Sequence, residues 1–329
     1  FDYPRSWSDE PFFPIKPSCP KNTMSCRLES ERDSVDFLTL QEAERRLRSF
    51  NMTRRGTVGT DQEHIFMAVG FQSPRLPWLF PGRIADKYYP SPMKLPLAKN
   101  LEANSKSSLE WFRPTEIDLY SDIRNVTRRR RMKTGTQHRQ RQADFSTITH
   151  VDEMVGRLFQ VLRELGLWEN TNIVVMADHG QNLGEFNMWS MMNLLETSLQ
   201  VPLLIRPAPI AHVVTNHVYS HPVELVDVFP TLVSLAAVKH GGKRPVGPGL
   251  GIDISQALKS NQIVLKKYSF SQITRCRNCT LAYNGTAAPK ECTYDRTADA
   301  LMFSVPCAMT PRSQIDVMGY SVKTSDSGQ

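Results

Sequence analysis

At 329 residues, 40% hydrophobic and 22% charged, the chain can bury one large core or two ordinary ones, and its composition excludes a disordered, fibrous or small stapled scaffold. Its net charge of +7 points to polyanionic partners. No apolar run is long enough to span a membrane, and no charged-then-apolar leader follows Phe1, so the chain reads as a mature product or a fragment.

The opening "FDYPRSWSDEPFFPIKPSCP" is rich in Pro and aromatics without periodicity, and residues 1–33 are expected as an extended surface segment. "SVDFLTLQEAERRLRSF", 34–50, carries a helical pattern, and "HIFMAVG" predicts a buried strand at 65–70 before a Pro-punctuated loop. Residues 79–142 read as a long irregular insertion, the kind that covers an active site. Within it "RNVTRRRRMKTGTQHRQRQ", 124–142, carries seven Arg and one Lys with no acid. From Arg124 to Arg141 this reads as a solvated basic loop that attracts polyanions. Without interleaved aromatics to stack bases, a sulfated polysaccharide ranks above nucleic acid, and no nucleic-acid partner is expected.

From Asp144 the pattern becomes regular. Val151, Met154, Val155, Leu158, Leu162 and Leu165 recur at three- and four-residue steps, an amphipathic helix that "GLWENTN" ends. "IVVMA", 173–177, and "VPLLIRP", 201–207, have the apolar character of strands covered on both faces in a parallel sheet. "VELVDVFPTLVSLAAV", 223–238, predicts a further helix kinked or broken at Pro230. The alternation predicts a three-layer α/β sandwich with a largely parallel sheet over 34–240, followed by a linker and the start of a second subdomain over 241–329.

Six cysteines fall into two groups, Cys19/Cys26 and Cys276/Cys279/Cys292/Cys307. The even count favours disulfides over reduced thiols or a zinc knuckle at Cys276-Arg-Asn-Cys279, since no His follows Cys279 at finger spacing. Four acceptor sequons, at Asn51, Asn125, Asn278 and Asn284, mark glycosylated surface if the chain enters the secretory pathway.

Asp178 and His179 stand directly after a predicted buried strand, where open α/β sheets bind ligands. A carboxylate and a neutral imidazole together suit zinc or manganese better than calcium on softness alone. The alternative is a plain Asp-His-Gly turn in which Gly180 takes positive φ.

Together, "VVMADHGQNLGEFNMW" and "VPLLIRPAP" resemble the Asp-His-Gly, Leu-Gly-Glu, Trp and Val-Pro-Leu signature of the sulfatase family, within the alkaline-phosphatase-like superfamily. "YPRSW", "MAVGFQSPRLPW", "VDEMVGRLFQVL", "VELVDVFPTL" and "DVMGYSVKT" are similar in order and spacing to the iduronate-2-sulfatase branch. The resemblance implies an alkaline-phosphatase-like fold, here truncated at the N-terminus and in the C-terminal subdomain. It also implies hydrolysis of sulfate esters of glycosaminoglycans by a formylglycine made from Cys-x-Pro-Ser-Arg, in a lysosomal or secreted protein. It makes Asp178 and His179 ligands of one calcium ion, half of its shell, which overrides the softness argument.

The chain departs from the pattern at several positions. It contains no Cys-x-Pro-Ser-Arg, and the paired Asp residues that complete the metal shell would lie upstream of Phe1, so no catalytic residue is assigned. Met191 stands where the family has a sulfate-binding Lys, and Pro74-Arg75-Leu76-Pro77 where it has Pro-His-x-Pro. Arg75 can still hold a sulfate through its planar fork. Losing the lysine should cost on the order of 2–4 kcal/mol of transition-state stabilisation. Three readings follow: a hydrolase portion inactive by itself, a pseudo-sulfatase that binds sulfated polysaccharide, and a phosphatase or phosphodiesterase of the same superfamily.

Overall fold

The computed structural model describes residues 10–14, 19–56, 64–90, 120–123, 126, 130–191, 193–208, 218–237, 251–260, 262–275, 294–295, 300–301 and 317–325. Cys276, Cys279, Cys292 and Cys307, the sequons at Asn125, Asn278 and Asn284, and Arg124 with Arg128 and Arg129 of the basic run lie outside the described residues. The chain forms two compact units. The first comprises 1–100, 116–126 and 130–168, and the second 101–115, 127–129 and 169–329.

In the first unit, β1 (Ser25–Leu28) pairs in parallel with β2 (Trp78–Pro81), Ser25 opposite Trp78 and Leu28 opposite Pro81. Three helices accompany this pair: α1 (Val35–Gly56), α2 (Gly82–Tyr88) and α3 (Thr134–Glu164). The core includes Phe37 and Leu40 of α1 against Met154 of α3, with Phe71 and Leu158 packed on them. Cys19 and Cys26 are joined by a disulfide whose Cα atoms are 5.6 Å apart. Gly166 ends α3 at φ 67°, the left-handed residue after a helix C-cap. The Leu167 amide bonds the Leu162 carbonyl and the Gly166 amide the Arg163 carbonyl, which is the Schellman pattern.

The first unit differs from the sequence expectations in three places. Residues 65–70 form no strand: Ile65 and Phe66 are exposed and no strand pairs with them among the described residues. Apolar composition makes a strand only where a neighbour supplies the ladder. The ladder forms instead at "WLFP", Trp78–Pro81, where the Pro-punctuated loop meets the stretch expected to be irregular. Further along, α3 begins at Thr134, ten residues before Asp144. Its first turns bury Gln140 and Arg141, so Arg141 does not belong to a solvated basic loop, while Arg130, Arg131, Lys133 and Arg139 are exposed. Asn51, on α1, is 4% exposed, so this sequon does not present a surface acceptor.

In the second unit β3 (Ile173–Met176) pairs with β6 (Leu203–Arg206). Between them lie the short hairpin β4 (Asn182–Leu183) and β5 (Trp189–Ser190) and the one-turn helix α4 (Glu196–Leu199). The β3–β6 pair is antiparallel, and β3 is half-buried and ends exposed at Met176. Among the described residues no long crossover helix joins the two strands, and such a crossover is the usual link in a parallel pairing. The fold class nevertheless holds: an α/β chain with a parallel pair in its first unit. Pro230 lies in the first turn of α5 (Val228–Leu235), where a missing amide costs nothing, so it kinks nothing. A 3-10 turn, Leu225–Asp227, leads into that helix.

The rest of the second unit carries β7 (Tyr268–Arg275), the two-residue strands β8 (Tyr294–Asp295) and β9 (Ala300–Leu301), and β10 (Val317–Thr324). β7 and β10 form an antiparallel ribbon with Phe270 opposite Val322.

Candidate metal centre and anion-binding loop

β3 delivers Asp178 and His179 two and three residues past its last paired position, Met176. Both side chains are exposed. The Asp178 Oδ1 accepts the His179 amide proton at 2.9 Å, and the His179 Nδ1 lies 2.9 Å from the Gly180 carbonyl oxygen. A carbonyl only accepts, so Nδ1 is the donor in this bond, which leaves Nε2 as the ring nitrogen that could ligate a cation. That Nε2 stands 3.7 Å from Asp178 Oδ1, a separation that two ligands each about 2.3–2.6 Å from one hard cation share. The pair therefore fits a cation, with the ring orientation fixed by a hydrogen bond at the other nitrogen. Among the described residues no third carboxylate or imidazole completes a three-ligand group with them.

The turn is held from below. The Gly180 amide donates to the Ser198 carbonyl at 2.9 Å, and a Cβ on Gly180 would overlap the Thr197 carbonyl oxygen. Gly180 is thus needed for close approach, and it is not among the positive-φ glycines. Thr197 Oγ1 donates to Asn182 Oδ1 at 2.5 Å, and Asn182 is fully buried. Positive φ is required instead at Gly184, at 109°, where the Glu185 carboxylate turns back to accept the Leu183 amide proton at 2.6 Å. Met191 follows β5 and is half-buried. A thioether there supplies no cation.

Arg75 lies in the first unit, on the loop between Phe71 and β2, and it is the only exposed residue from Phe71 to Leu79. Its amide closes a turn onto the Gln72 carbonyl at 3.0 Å. Asp36, in the first turn of α1, accepts the amide protons of Gln72 at 2.6 Å and Ser73 at 3.4 Å through Oδ1. The indole Nε1 of buried Trp78 donates to the Pro74 carbonyl at 3.1 Å. No local pattern marks Asp36, because its partners are 36 and 37 residues away.

A second cluster was also hidden: Glu31, His150 and Glu153 present their ligand atoms within 4.8 Å of one another. Only the His-x-x-Glu spacing on α3 could have signalled half of it. This cluster already holds cations. The Arg83 guanidinium donates to Glu31 and to Glu153 at 2.5 Å each, and Arg157 lies 3.6 Å from Glu31. The Arg83 hydrogen bond holds the Glu31 carboxyl below its usual range. Guanidinium charge thus answers both carboxylates, making this an ion-pair network rather than a metal centre.

A family model described as Sulfatase matches residues 74–238, which is 165 of the 329 residues. The chain is 31% identical to the choline-sulfatase of Rhizobium meliloti over 54% of its own length and 35% of that protein's. It is 25% identical to the iduronate 2-sulfatase of Homo sapiens over 99% of its own length and 64% of that protein's. The chain therefore spans between about a third and two-thirds of these relatives. The crystal structure of yidJ from Bacteroides fragilis superposes with a TM-score of 0.52 at 15% identity, over 74% of this chain and 45% of that one, a likeness of fold. The chain belongs to the sulfatase family of the alkaline-phosphatase-like superfamily.

Proposed function

We propose that this chain is the substrate- and metal-binding portion of a sulfuric ester hydrolase acting on sulfated glycosaminoglycan, with an iduronate-2-sulfate-like substrate. The observation that carries the proposal is the Asp178–His179 pair, whose Oδ1 and Nε2 lie 3.7 Å apart with Nδ1 committed to the Gly180 carbonyl. Asp178 and His179 would hold a calcium ion. Once bound, that ion would neutralise charge on the sulfate oxygens. Arg75 would grip the same kind of group through its two-pronged fork. The chain contains no Cys-x-Pro-Ser-Arg, so it lacks the family's nucleophile and by itself would not turn over substrate. A lysosomal or secreted setting is supported by the Cys19–Cys26 disulfide.

Calorimetric titration with calcium tests this: the wild-type chain binds, and Asp178→Asn and His179→Ala each weaken binding at least tenfold. Equal binding by all three would sink the metal assignment, and zinc bound in preference to calcium would favour a phosphatase-type site. Sulfate release from a 2-O-sulfated oligosaccharide by this chain alone would refute the inactivity.

A second reading, a pseudo-sulfatase that binds sulfated polysaccharide without hydrolysis, is favoured by Met191 together with exposed Arg130, Arg131 and Arg139. Heparin retention that survives Asp178→Ala, with no turnover by any longer form of the protein, supports it.

A further inference from the structure

We infer that Asp36 is a positioning residue for the loop 72–77, holding it in the shape that offers Arg75 to a sulfated ligand. The inference rests on the assignment of Arg75 above and adds the residue through which that loop is set.

The local chemistry at the start of α1 leaves Asp36 available for this role. Ser34 already accepts the Phe37 amide proton at 3.0 Å through Oγ, so the helix N-terminus is capped without the aspartate. An aspartate in a first helical turn ordinarily stays in water, yet Asp36 is 2% exposed. A carboxylate taken out of water needs donors to replace its hydration. The donors here come from the loop: the consecutive amides of Gln72 and Ser73, both to Oδ1. The Gln72 bond, at 2.6 Å, has the short length of a charge-assisted bond, and the Ser73 bond at 3.4 Å is the weaker of the two.

The consequence reaches Arg75 in two steps. With its amide held by Asp36, Gln72 turns its carbonyl to accept the Arg75 amide proton. Trp78, with no exposed surface, fixes Pro74 on the other side through its indole N–H. Residues 72, 73 and 74 are thereby tied to α1 and β2, and Arg75 is the point the loop gives to solvent. Below the loop a small cleft is lined by Ser34, Asp36, Gln72 and Pro77. Shortening Asp36 would enlarge that cleft and free both amides, letting the turn around Arg75 relax.

The test is a binding titration of the full chain with a monosulfated uronic acid glycoside, a probe that carries a single sulfate. Arg75→Ala is expected to weaken binding about tenfold, and Asp36→Ala by a similar factor. Asp36→Asn, whose amide oxygen still accepts, should fall between wild type and Asp36→Ala. The double variant Asp36→Ala/Arg75→Ala should bind no worse than Arg75→Ala, because the aspartate acts through the arginine. A purely stabilising role would lower the melting temperature while leaving the affinity of the folded protein unchanged.

Wild-type affinity in Asp36→Ala, with Arg75→Ala weakened, overturns the role of Asp36 and spares that of Arg75. Additive losses in the double variant do the same. Wild-type affinity in Arg75→Ala overturns both. Should Asp36→Ala not fold, Asp36→Asn carries the test through amide exchange: faster exchange at Gln72 and Ser73 with weakened binding supports the inference, and unchanged exchange and binding overturn it.

Discussion

The Nε2 of His150 lies 2.9 Å from the Oγ of Ser34, joining the middle of α3 to the cap of α1 inside the first unit. His150 has no exposed surface and its Nδ1 has no hydrogen-bond partner among the described residues. Burial therefore pushes its pKa below the ordinary 6.5, against the pull of Asp36, Glu31 and Glu153. Between the depressed folded value and 6.5 the unfolded chain binds more protons than the folded one. Stability is thus full above that ordinary value and falls as the pH drops through the window. Melting temperatures measured from pH 7.5 down to about 5 should decline in the wild type and decline less in His150→Gln, since neutral glutamine takes no proton. A parallel decline in both proteins would contradict this assignment.

Gly180→Ala should destabilise the second unit by about 1–3 kcal/mol, since the added methyl meets the Thr197 backbone, which cannot swing aside as a side chain would. The same change displaces Asp178 and His179, so calcium binding should weaken with it. Urea unfolding and a calcium titration on one preparation measure both effects; unaltered values in each would show that the turn tolerates a side chain.

Lys266 is paired with Glu224 and with Asp227 at 2.7 Å, and Asp227 is completely buried. Burial alone would lower the Lys266 pKa, but hydrogen bonds to Asp227 and Glu224 outweigh it and the net shift is upward. Lys266→Met leaves a buried carboxylate without its cation, a loss of about 3–5 kcal/mol. Asp227→Asn with Lys266→Met should recover part of that loss, as denaturant midpoints would record.

Arg83 bridges Glu31 and Glu153 with its side chain about half exposed, 52%. Solvent screens such a pair, so Arg83→Ala should cost only about 1 kcal/mol. Arg83→Lys should not restore it, because an ammonium lacks the fork that reaches both carboxylates at once. Equal stability of the lysine variant and wild type in chemical denaturation would refute the bidentate account.

The long helices were legible where apolar residues recur at helical spacing, as from Val151 to Leu162 of α3. The start of that helix was not, because Thr134–Gln142 carries its buried face in polar residues: Gln140 and Arg141 are both at 4% exposure or less. The Asp178-His179-Gly180 turn could be found from residue types alone, since its three members are adjacent in the chain. Asp36 could not, nor could the Glu31–Arg83–Glu153 bridge, whose members lie 52 and 70 residues from Arg83.

By itself the sequence determined the family and the α/β character, because those follow from short motifs and periodicities of neighbouring residues. Only the tertiary structure decided that β3 and β6 run antiparallel, that Trp78–Pro81 is the strand in place of residues 65–70, and that Asp36 serves a distant loop. Strand pairing and the burial of a charge depend on partners brought from elsewhere in the chain, and no local pattern records which partner arrives.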